Sequence, residues 1–435
     1  KSNIGHLEAA AGVAGLIKLA LSLERRQVPP SLHFETPNPY IRFDRLPLRV
    51  VTKLEPWPGQ PGVARGGVSA FGFGGTNAHL VLEEAPVRAP RPATPPRDDA
   101  SLLVMSAKNE EALRALASVY ADRIAGLDAP ALAEMCATAA LRRSHHDVRL
   151  AAVASQGADT SALLRAYLDG ERPKNLETGR RAGSRRRKVA FILPGHGSQW
   201  LGMGRELMAR EPVFADAIVR CAEAFAPHVD WSLVDELHAP PETSRLEEVD
   251  VVQLALFAIE VALAELWRSW AIKPDAVVGH SMGETAAAVI AGSLSLDDAA
   301  RIMCVRSRLA KRLAGRGAMA VMELPLQMAS EVLAGREDRL SVAASNSPKS
   351  TAVAGDPDAL DELLAELERE GVLARRIKIA YASHSPQMDV LLDEMLALLA
   401  GIAPKRASVP LYSTVTGSVV NGDRNWDRSN WYRNL

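Results

Sequence analysis

The residues Gly279-His280-Ser281-Met282-Gly283 form a G-x-S-x-G pattern directly after the apolar run DAVV and directly before the alanine-rich TAAAVIAG. A serine hydroxyl is a weak nucleophile in an ordinary turn. A strand, a tight turn flanked by glycines and a helix in succession lift it clear of a sheet and expose its oxygen. The same turn sets backbone N–H groups and the positive end of a helix beside Ser281, where an oxyanion would form. A serine of this kind also needs a base. Among the ten histidines, His384 in YASHSPQM is the best candidate, because it follows an apolar strand and sits with Ser383, Ser385 and Pro386 in a polar turn. His280 adjoins the serine but, at an extended strand end, should point the other way and either serve packing or support a neighbouring site residue. A second glycine loop, Pro194-Gly195-His196-Gly197-Ser198-Gln199, follows VAFIL. It lacks the G-x-x-x-x-G-K-[ST] order of a phosphate loop and reads as a second source of N–H groups for an oxyanion. Arg306 follows Ser281 by 25 residues, in the helical run DDAARIMCVRSRLAKRLAG. Charge alone assigns it no role.

These residues need elements to hold them. From Lys188 onward, alternating strand and helix signals predict a parallel sheet with helices on both faces and ligands at the carboxyl ends of the strands. Residues Ala318 to Ala382 break the alternation. There AMAVMEL, LQMASEVLA, RLSVAAS, STAVAG, DALDELLAELERE and RRIKIAYAS read as strand, helix, strand, strand, helix, strand, a ferredoxin-like insertion. A cleft between this insertion and the larger lobe is the natural substrate site. Upstream, Leu102 to Met105 is a short apolar run, and Ser106 is expected to cap a helix in which Leu113, Leu116, Tyr120 and Ile124 share one face. With a second helix at Ala129 to Leu141 and the run Leu150 to Ala154, this makes a small α/β unit without a chemical signature.

A chain of 435 residues should hold two to four folding units. Composition breaks at the proline-rich VRAPRPATPPRDDA and at the arginine-rich GRRAGSRRRK, placing boundaries near 90 and 187. The basic run reads as a solvated connector at a junction, not as a nucleic-acid site. With 51 basic and 52 acidic residues and a formal net charge of −1, no global field favours nucleic acid or an anionic membrane. Cys136, Cys221 and Cys304 are too scattered for a disulfide framework or zinc site, so no metal is expected and a cytoplasmic location fits. No segment supplies the roughly 18 consecutive apolar residues of a membrane span. Even Leu254 to Trp270 carries Glu260, Glu265 and Arg268 and reads as a buried soluble helix. The opening KSNIGHLEAAAGVAG is unlike a signal peptide. It reads as the inside of an element, and the aromatic NWDRSNWYRNL at the other end reads the same way.

The motifs FILPGHGSQWLGMGREL, VVGHSMGE and YASHSPQMD resemble the acyltransferase domain of type I polyketide synthases and the malonyl-CoA:acyl carrier protein transacylases. KSNIGHLEAAAG and GGVSAFGFGGTNAHLVLEEAP resemble the last part of a ketosynthase. The resemblance covers the whole chain and implies three parts. Residues 1–86 correspond to an incomplete, thiolase-like ketosynthase, 87–187 to a small α/β linker domain, and 188–435 to an acyltransferase. The acyltransferase would be a hydrolase-like parallel-sheet lobe with a ferredoxin-like subdomain at about 318–382. By the same resemblance Ser281 is acylated, His384 is the base, Arg306 pairs with the free carboxylate of a malonyl-type extender, and the backbone N–H groups of Met282 and His196 form the oxyanion hole. The donor would be an acyl-CoA, and the acceptor the phosphopantetheine thiol of an acyl carrier protein; no cofactor is expected on this chain itself. The remaining domains of the synthase would be partners, in a parent that is typically dimeric.

His196 stands where the family usually has glutamine, which leaves a backbone role intact. Lys1 and His6 match the lysine and second histidine of a ketosynthase active site and Phe73 a gating loop, but the nucleophilic cysteine and first histidine would lie upstream. No condensation is therefore expected here. In this family a further stretch after W-Y-x-N-L, here Trp431 to Leu435, completes the sheet and orients the histidine, so activity of this chain alone stays open. Tyr381-Ala382-Ser383-His384 resembles the form associated with methylmalonyl transfer, in which serine leaves room for a methyl group that phenylalanine would fill. Two other readings remain: an α/β-hydrolase-like serine esterase, which shares G-x-S-x-G, and a non-catalytic scaffold that docks carrier proteins.

Overall fold

The computed structural model describes residues 1–58, 62–86, 100–181, 183, 186–420 and 428–435. The proline-rich run up to residue 99, and positions 182, 184 and 185 of the arginine-rich run, lie outside the described residues. The chain divides into two compact units, Lys1–Gly183 and Ser184–Leu435.

In the first unit, helix Ala11–Arg25 packs on the antiparallel hairpin Arg65–Phe71 and Asn77–Glu83. Further along, strands Ser101–Ala107, Val148–Ala154 and Leu176–Arg180 form an antiparallel sheet, and three helices complete its core: Glu110–Ile124, Ala129–Leu141 and Gly157–Leu168. Ser106 does not cap a helix. It lies inside the first of these strands, where its hydroxyl accepts from the His146 N–H at 2.8 Å. The cap is Asn109, whose side chain accepts from Ala112 N–H at 2.8 Å. The apolar run continues past Ser106 to the buried Ala107, so the sheet keeps the chain extended until Asn109 offers an equally good cap. Leu113 and Ile124 are buried on the helix face; Leu116 and Tyr120 are only partly so, and Ala117 and Ala121 fill the face between.

The second unit is built on a four-stranded sheet. Ala190–Leu193, Ala276–Gly279 and Leu411–Ser413 run parallel. Ser418–Val420 is antiparallel on Leu411–Ser413. Only residues 414–417 join those last two strands, too few for a crossover, so the chain must return as a hairpin. In register, Leu193, Gly279 and Ser413 lie side by side at the carboxyl ends. The next residues, Pro194, His280 and Thr414, therefore emerge together at one edge. Helix Gly283–Ile290 lies on all three parallel strands, and helix Val249–Ser269 packs against it. The latter is apolar nearly all round and buried over most of its length, as its Leu254, Phe257 and Val261 show.

The insertion contains strands Ala318–Met322, Leu340–Ser347, Ser350–Gly355 and Ala374–Ile377, with helices Leu326–Val332 and Pro357–Arg369 between them. The strands are all antiparallel, and the first and third are central, which is the split β-α-β order of a ferredoxin-like sheet. Its helices bury Leu360, Leu363 and Leu367 against Ala320, Met322 and Val353. The last strand is shorter than its apolar pattern suggests. It stops at Ile377, and residues 378–384 form an irregular segment that carries His384 away from the sheet.

Candidate active site

Gly279 and Gly283 make the turn at Ser281 possible. A Cβ on Gly279 would lie 2.3 Å from Glu284 N, and one on Gly283 would lie 2.4 Å from the Leu193 carbonyl oxygen. Only hydrogen fits at either place. Between them Ser281 takes the left-handed conformation, φ 53°, a strained geometry for a side-chain-bearing residue that lifts its hydroxyl above the strand ends. The turn is fixed by hydrogen bonds from His280 N to the Leu193 oxygen (2.9 Å) and from Glu284 N to the Ser281 oxygen (2.9 Å).

Ser281 Oγ is 2.9 Å from His384 Nε2 and accepts a hydrogen bond from Arg306 Nη2 at 3.0 Å. Three segments far apart in sequence thus meet at one oxygen: an elbow, a loop after the inserted subdomain and the middle of helix Leu296–Lys311. His384 is also left-handed, φ 61°. Its backbone N–H donates to the carbonyl oxygen of Leu435 at 2.9 Å, and the Ser383 hydroxyl donates to the same oxygen at 3.1 Å. Ser385 accepts from Gln387 N–H at 3.3 Å and so caps the short helix Pro386–Leu391. The histidine is therefore gripped on both sides by backbone.

Arg306 is only 2% exposed. Its Nη1 donates to the Asn434 side-chain oxygen. The Asn434 Nδ2 donates to Glu284 Oε2 at 3.1 Å, and the other oxygen of Glu284 accepts from the N–H and the hydroxyl of Thr414. Burial lowers the Arg306 pKa, opposed by the charges of Tyr381 and Glu284. Burial, then the charge of Arg306 and then His280, depresses His384 to about 3. His196 falls to about 4, through burial and then Arg306. Both histidines are thus neutral at physiological pH, as a base beside a serine must be.

A cleft of about 1020 Å³ opens over the serine. Pro194, Gly195, His280 and Thr414 from the strand ends line one side, and Ser341 to Asn346 of the inserted sheet the other. The cleft expected between lobe and insertion is present.

His280 is not a packing residue. It is exposed and lines the cleft, because the elbow reverses the chain immediately after the strand. Met282 is buried and, among the described residues, its N–H meets no protein acceptor; the His196 N–H likewise meets none. His196 Nδ1 is buried without a partner, and the His196 loop is braced by Gln199, which accepts from Gly197 N–H at 2.9 Å. Tyr381 and Ser383 are buried behind the cleft rather than on its wall. Tyr381 OH accepts from Gln253 Nε2 at 2.9 Å. Lys1 lines a separate open cavity of about 500 Å³ with Lys18 and Arg25, and neither His6 nor Phe73 is on its wall. His6 Nδ1 accepts from Glu8 N–H at 2.8 Å, and Phe73 is fully exposed.

Glu284, Asn434, Gln253 and the Leu435 carbonyl carry no role in the sequence reading. An acid at the start of an alanine-rich helix was a usable signal for Glu284. Asn434 offered none, since it meets Arg306 across 128 residues.

Fold and site together define an α/β lobe in which a strand-end serine meets a histidine and a buried arginine at one oxygen. Residues 190–435 match the acyl transferase domain family, residues 37–153 the ketoacyl-synthetase C-terminal extension, and residues 1–35 the C-terminal domain of beta-ketoacyl synthases. The whole chain is 46% identical to the spectinabilin polyketide synthase system protein NorA' of Streptomyces orinoci and 46% identical to erythronolide synthase EryA3 of Saccharopolyspora erythraea. It spans 12% and 14% of those proteins. Among solved structures, it aligns with the acyltransferase domain from module 8 of the salinomycin polyketide synthase at 42% identity and a TM-score of 0.71, covering 77% of this chain and 79% of that one. The acyltransferase domain of SpnD, in complex with 2-(pent-4-yn-1-yl)malonyl, aligns at 31% identity and 0.66, with coverage of 77% and 78%. The chain belongs to the modular type I polyketide synthases, and its second unit is their acyltransferase domain. No helix among the described residues is long and apolar enough to cross a membrane.

Proposed function

We propose that this chain loads a malonyl-type extender, with methylmalonyl preferred, from its coenzyme A thioester onto an acyl carrier protein through an acyl-Ser281 ester. The observation that carries the reading is the double engagement of Ser281 Oγ, by His384 Nε2 at 2.9 Å and Arg306 Nη2 at 3.0 Å. A base alone would serve any serine esterase. A buried guanidinium at the same oxygen suits a donor that brings its own carboxylate, with which arginine pairs in bidentate fashion. The SpnD relative, in complex with a substituted malonyl group, supports that choice.

In this reading His384 Nε2 takes the proton from Ser281 as its oxygen attacks the thioester carbonyl. The N–H groups of Met282 and His196 hold the oxyanion. The C–S bond breaks, and His384 returns the proton to the departing coenzyme A thiolate. The phosphopantetheine thiol of the carrier protein then repeats the sequence in reverse, releasing Ser281 and forming a new thioester. No cofactor on the chain is needed. The charge of Arg306 contributes to the weak basicity of His384. A substrate carboxylate that neutralises Arg306 would strengthen the base when the correct donor is seated, favouring diacid donors in the chemical step as well as in binding.

The preference for methylmalonyl rests on the resemblance of Tyr381-Ala382-Ser383-His384 to the methylmalonyl form, and Ser383 bears on it from behind the cleft wall. Its hydroxyl is tied back to the Leu435 oxygen, so the residue adds no bulk beside His384, whereas phenylalanine would. A methyl group in such a space discriminates by about 1–3 kcal/mol. Incubation with equal malonyl-CoA and methylmalonyl-CoA, followed by mass measurement, tests both parts. The expected product is a methylmalonyl adduct on Ser281 that a carrier-protein thiol removes. Protein left unmodified by both donors would defeat the reading, and a Ser383→Phe variant with an unchanged product ratio would defeat the extender part alone.

A further inference from the structure

Arg306 can bind a substrate carboxylate only if part of its guanidinium is left free and correctly aimed. We propose that Asn434, anchored by Glu284, is the positioning residue that holds Arg306 by one nitrogen and reserves its other edge for the acyl donor's carboxylate. This rests on the carboxylate-donor reading above and names how the site achieves it.

The arrangement follows from the polarity of one amide. Glu284 is fully buried, and Thr414 donates to it through both its N–H and its hydroxyl, with the Val415 N–H adding a longer contact at 3.3 Å. An anion so placed accepts and cannot donate, so the Asn434 NH2 group must face it, as the 3.1 Å bond to Oε2 shows. The Asn434 oxygen is thereby turned toward Arg306, where it takes Nη1, with the backbone oxygen of the same residue at 3.4 Å. Nη2 is left at Ser281 Oγ, and Nε is buried without a partner. Nε and Nη2 are the two nitrogens of the guanidinium's side edge, the geometry of a two-point grip on a carboxylate. A direct Glu284–Arg306 ion pair would have filled such an edge with the protein's own anion. The neutral amide passes on the polarising influence of Glu284 without blocking the site. An unpartnered Nε–H is costly in a buried place, and an incoming carboxylate removes that cost.

The test compares acylation of Ser281 by malonyl-CoA and by acetyl-CoA, which lacks the free carboxylate, in the full chain. The isosteric Asn434→Asp places a second anion against Arg306 and should lower kcat/KM for malonyl-CoA roughly tenfold or more, mainly through KM. Acetyl-CoA should change less than about threefold. The malonyl loss should also shrink at acid pH, where the new carboxylate protonates, a recovery that a merely structural defect would not show. Glu284→Gln, at the other end of the bridge, should lower the malonyl-to-acetyl ratio in the same direction and supplies a second measurement if Asn434→Asp does not fold by circular dichroism. Folded variants that keep the wild-type ratio within about twofold, while Arg306→Ala abolishes it, would overturn the role of Asn434. A wild-type chain that acylates but shows no preference for malonyl-CoA over acetyl-CoA would instead overturn the carboxylate-donor reading.

Discussion

The hairpin-bearing segment at the start of the first unit and the acyltransferase unit carry sequence motifs of similar length, yet they differ in what holds them. Up to residue 86, Leu23 and Ala64 are the buried hydrophobic residues among those described, and Val13, Ile17 and Phe73 are exposed. Beside the separate core of the inserted sheet, the main lobe of the second unit has a continuous core, running from Leu193 through Phe257 and Val277 to Trp431 and Leu435. A motif becomes a site only where surrounding packing fixes the side chains that form it. Ser281, His384 and Arg306 meet at hydrogen-bond distance because each stands on an element anchored in that core. Lys1, His6 and Phe73 have no such anchoring among the described residues, in a chain that spans 12% and 14% of the length of its relatives NorA' and EryA3.

The comparison can be tested at several magnitudes. Ser281→Ala should reduce acyl loading by roughly 10⁴-fold or more, while circular dichroism and thermal melting stay at wild-type values; loading that persists would place the nucleophile elsewhere. Trp431→Ala should cost about 3–5 kcal/mol in urea unfolding, because the ring is 1% exposed in the acyltransferase core. A loss under about 1 kcal/mol would show that the C-terminal helix is not part of the core that aligns the site.

Acidity gives a third test. His384 at about 3 and His196 at about 4 bind fewer protons folded than unfolded, between those values and the ordinary ~6.5. The stability they contribute is complete above about pH 6.5 and is lost as pH falls toward the folded values. Thermal melts should therefore show a smaller acid-side fall in His384→Gln than in wild type. The acid limb of kcat/KM, which reports the free enzyme, should lie near pH 3–4. An inflection near 6.5 would mean that the imidazole is solvated. The smallest effect belongs to the first unit. Phe73→Ala should change stability by no more than about 0.5 kcal/mol and leave Ser281 acylation unaltered; a clear loss of acylation would show that the segment supports the site.

The elbow was legible because every requirement is local. An apolar strand, two glycines and an apolar helix fall within a dozen residues, and steric limits at Gly279 and Gly283 leave one outcome. The inserted sheet was legible from its β-α-β-β-α-β periodicity. Its last strand was overread because Tyr381 is apolar for a different reason, packing in the main core, while Ile379 packs on both the main core and the inserted sheet. Ser106 was misread as a cap because a serine inside a strand and a serine before a helix look alike until the pairing partner is known. His280 was misplaced because strand alternation cannot be extended through an elbow that reverses the chain.

The sequence by itself determined the family and singled out Ser281 and His384 as the proposed nucleophile and base, all from residue types at short spacing. Tertiary structure alone decided how Ser281 is equipped. Arg306, Asn434, Glu284 and the Leu435 carbonyl meet around Ser281 and His384 through contacts across 25 to 150 residues, and no local pattern encodes such distances. Which amide oxygen faces which guanidinium nitrogen follows from a buried carboxylate three contacts from the serine hydroxyl, and only the folded chain brings it there.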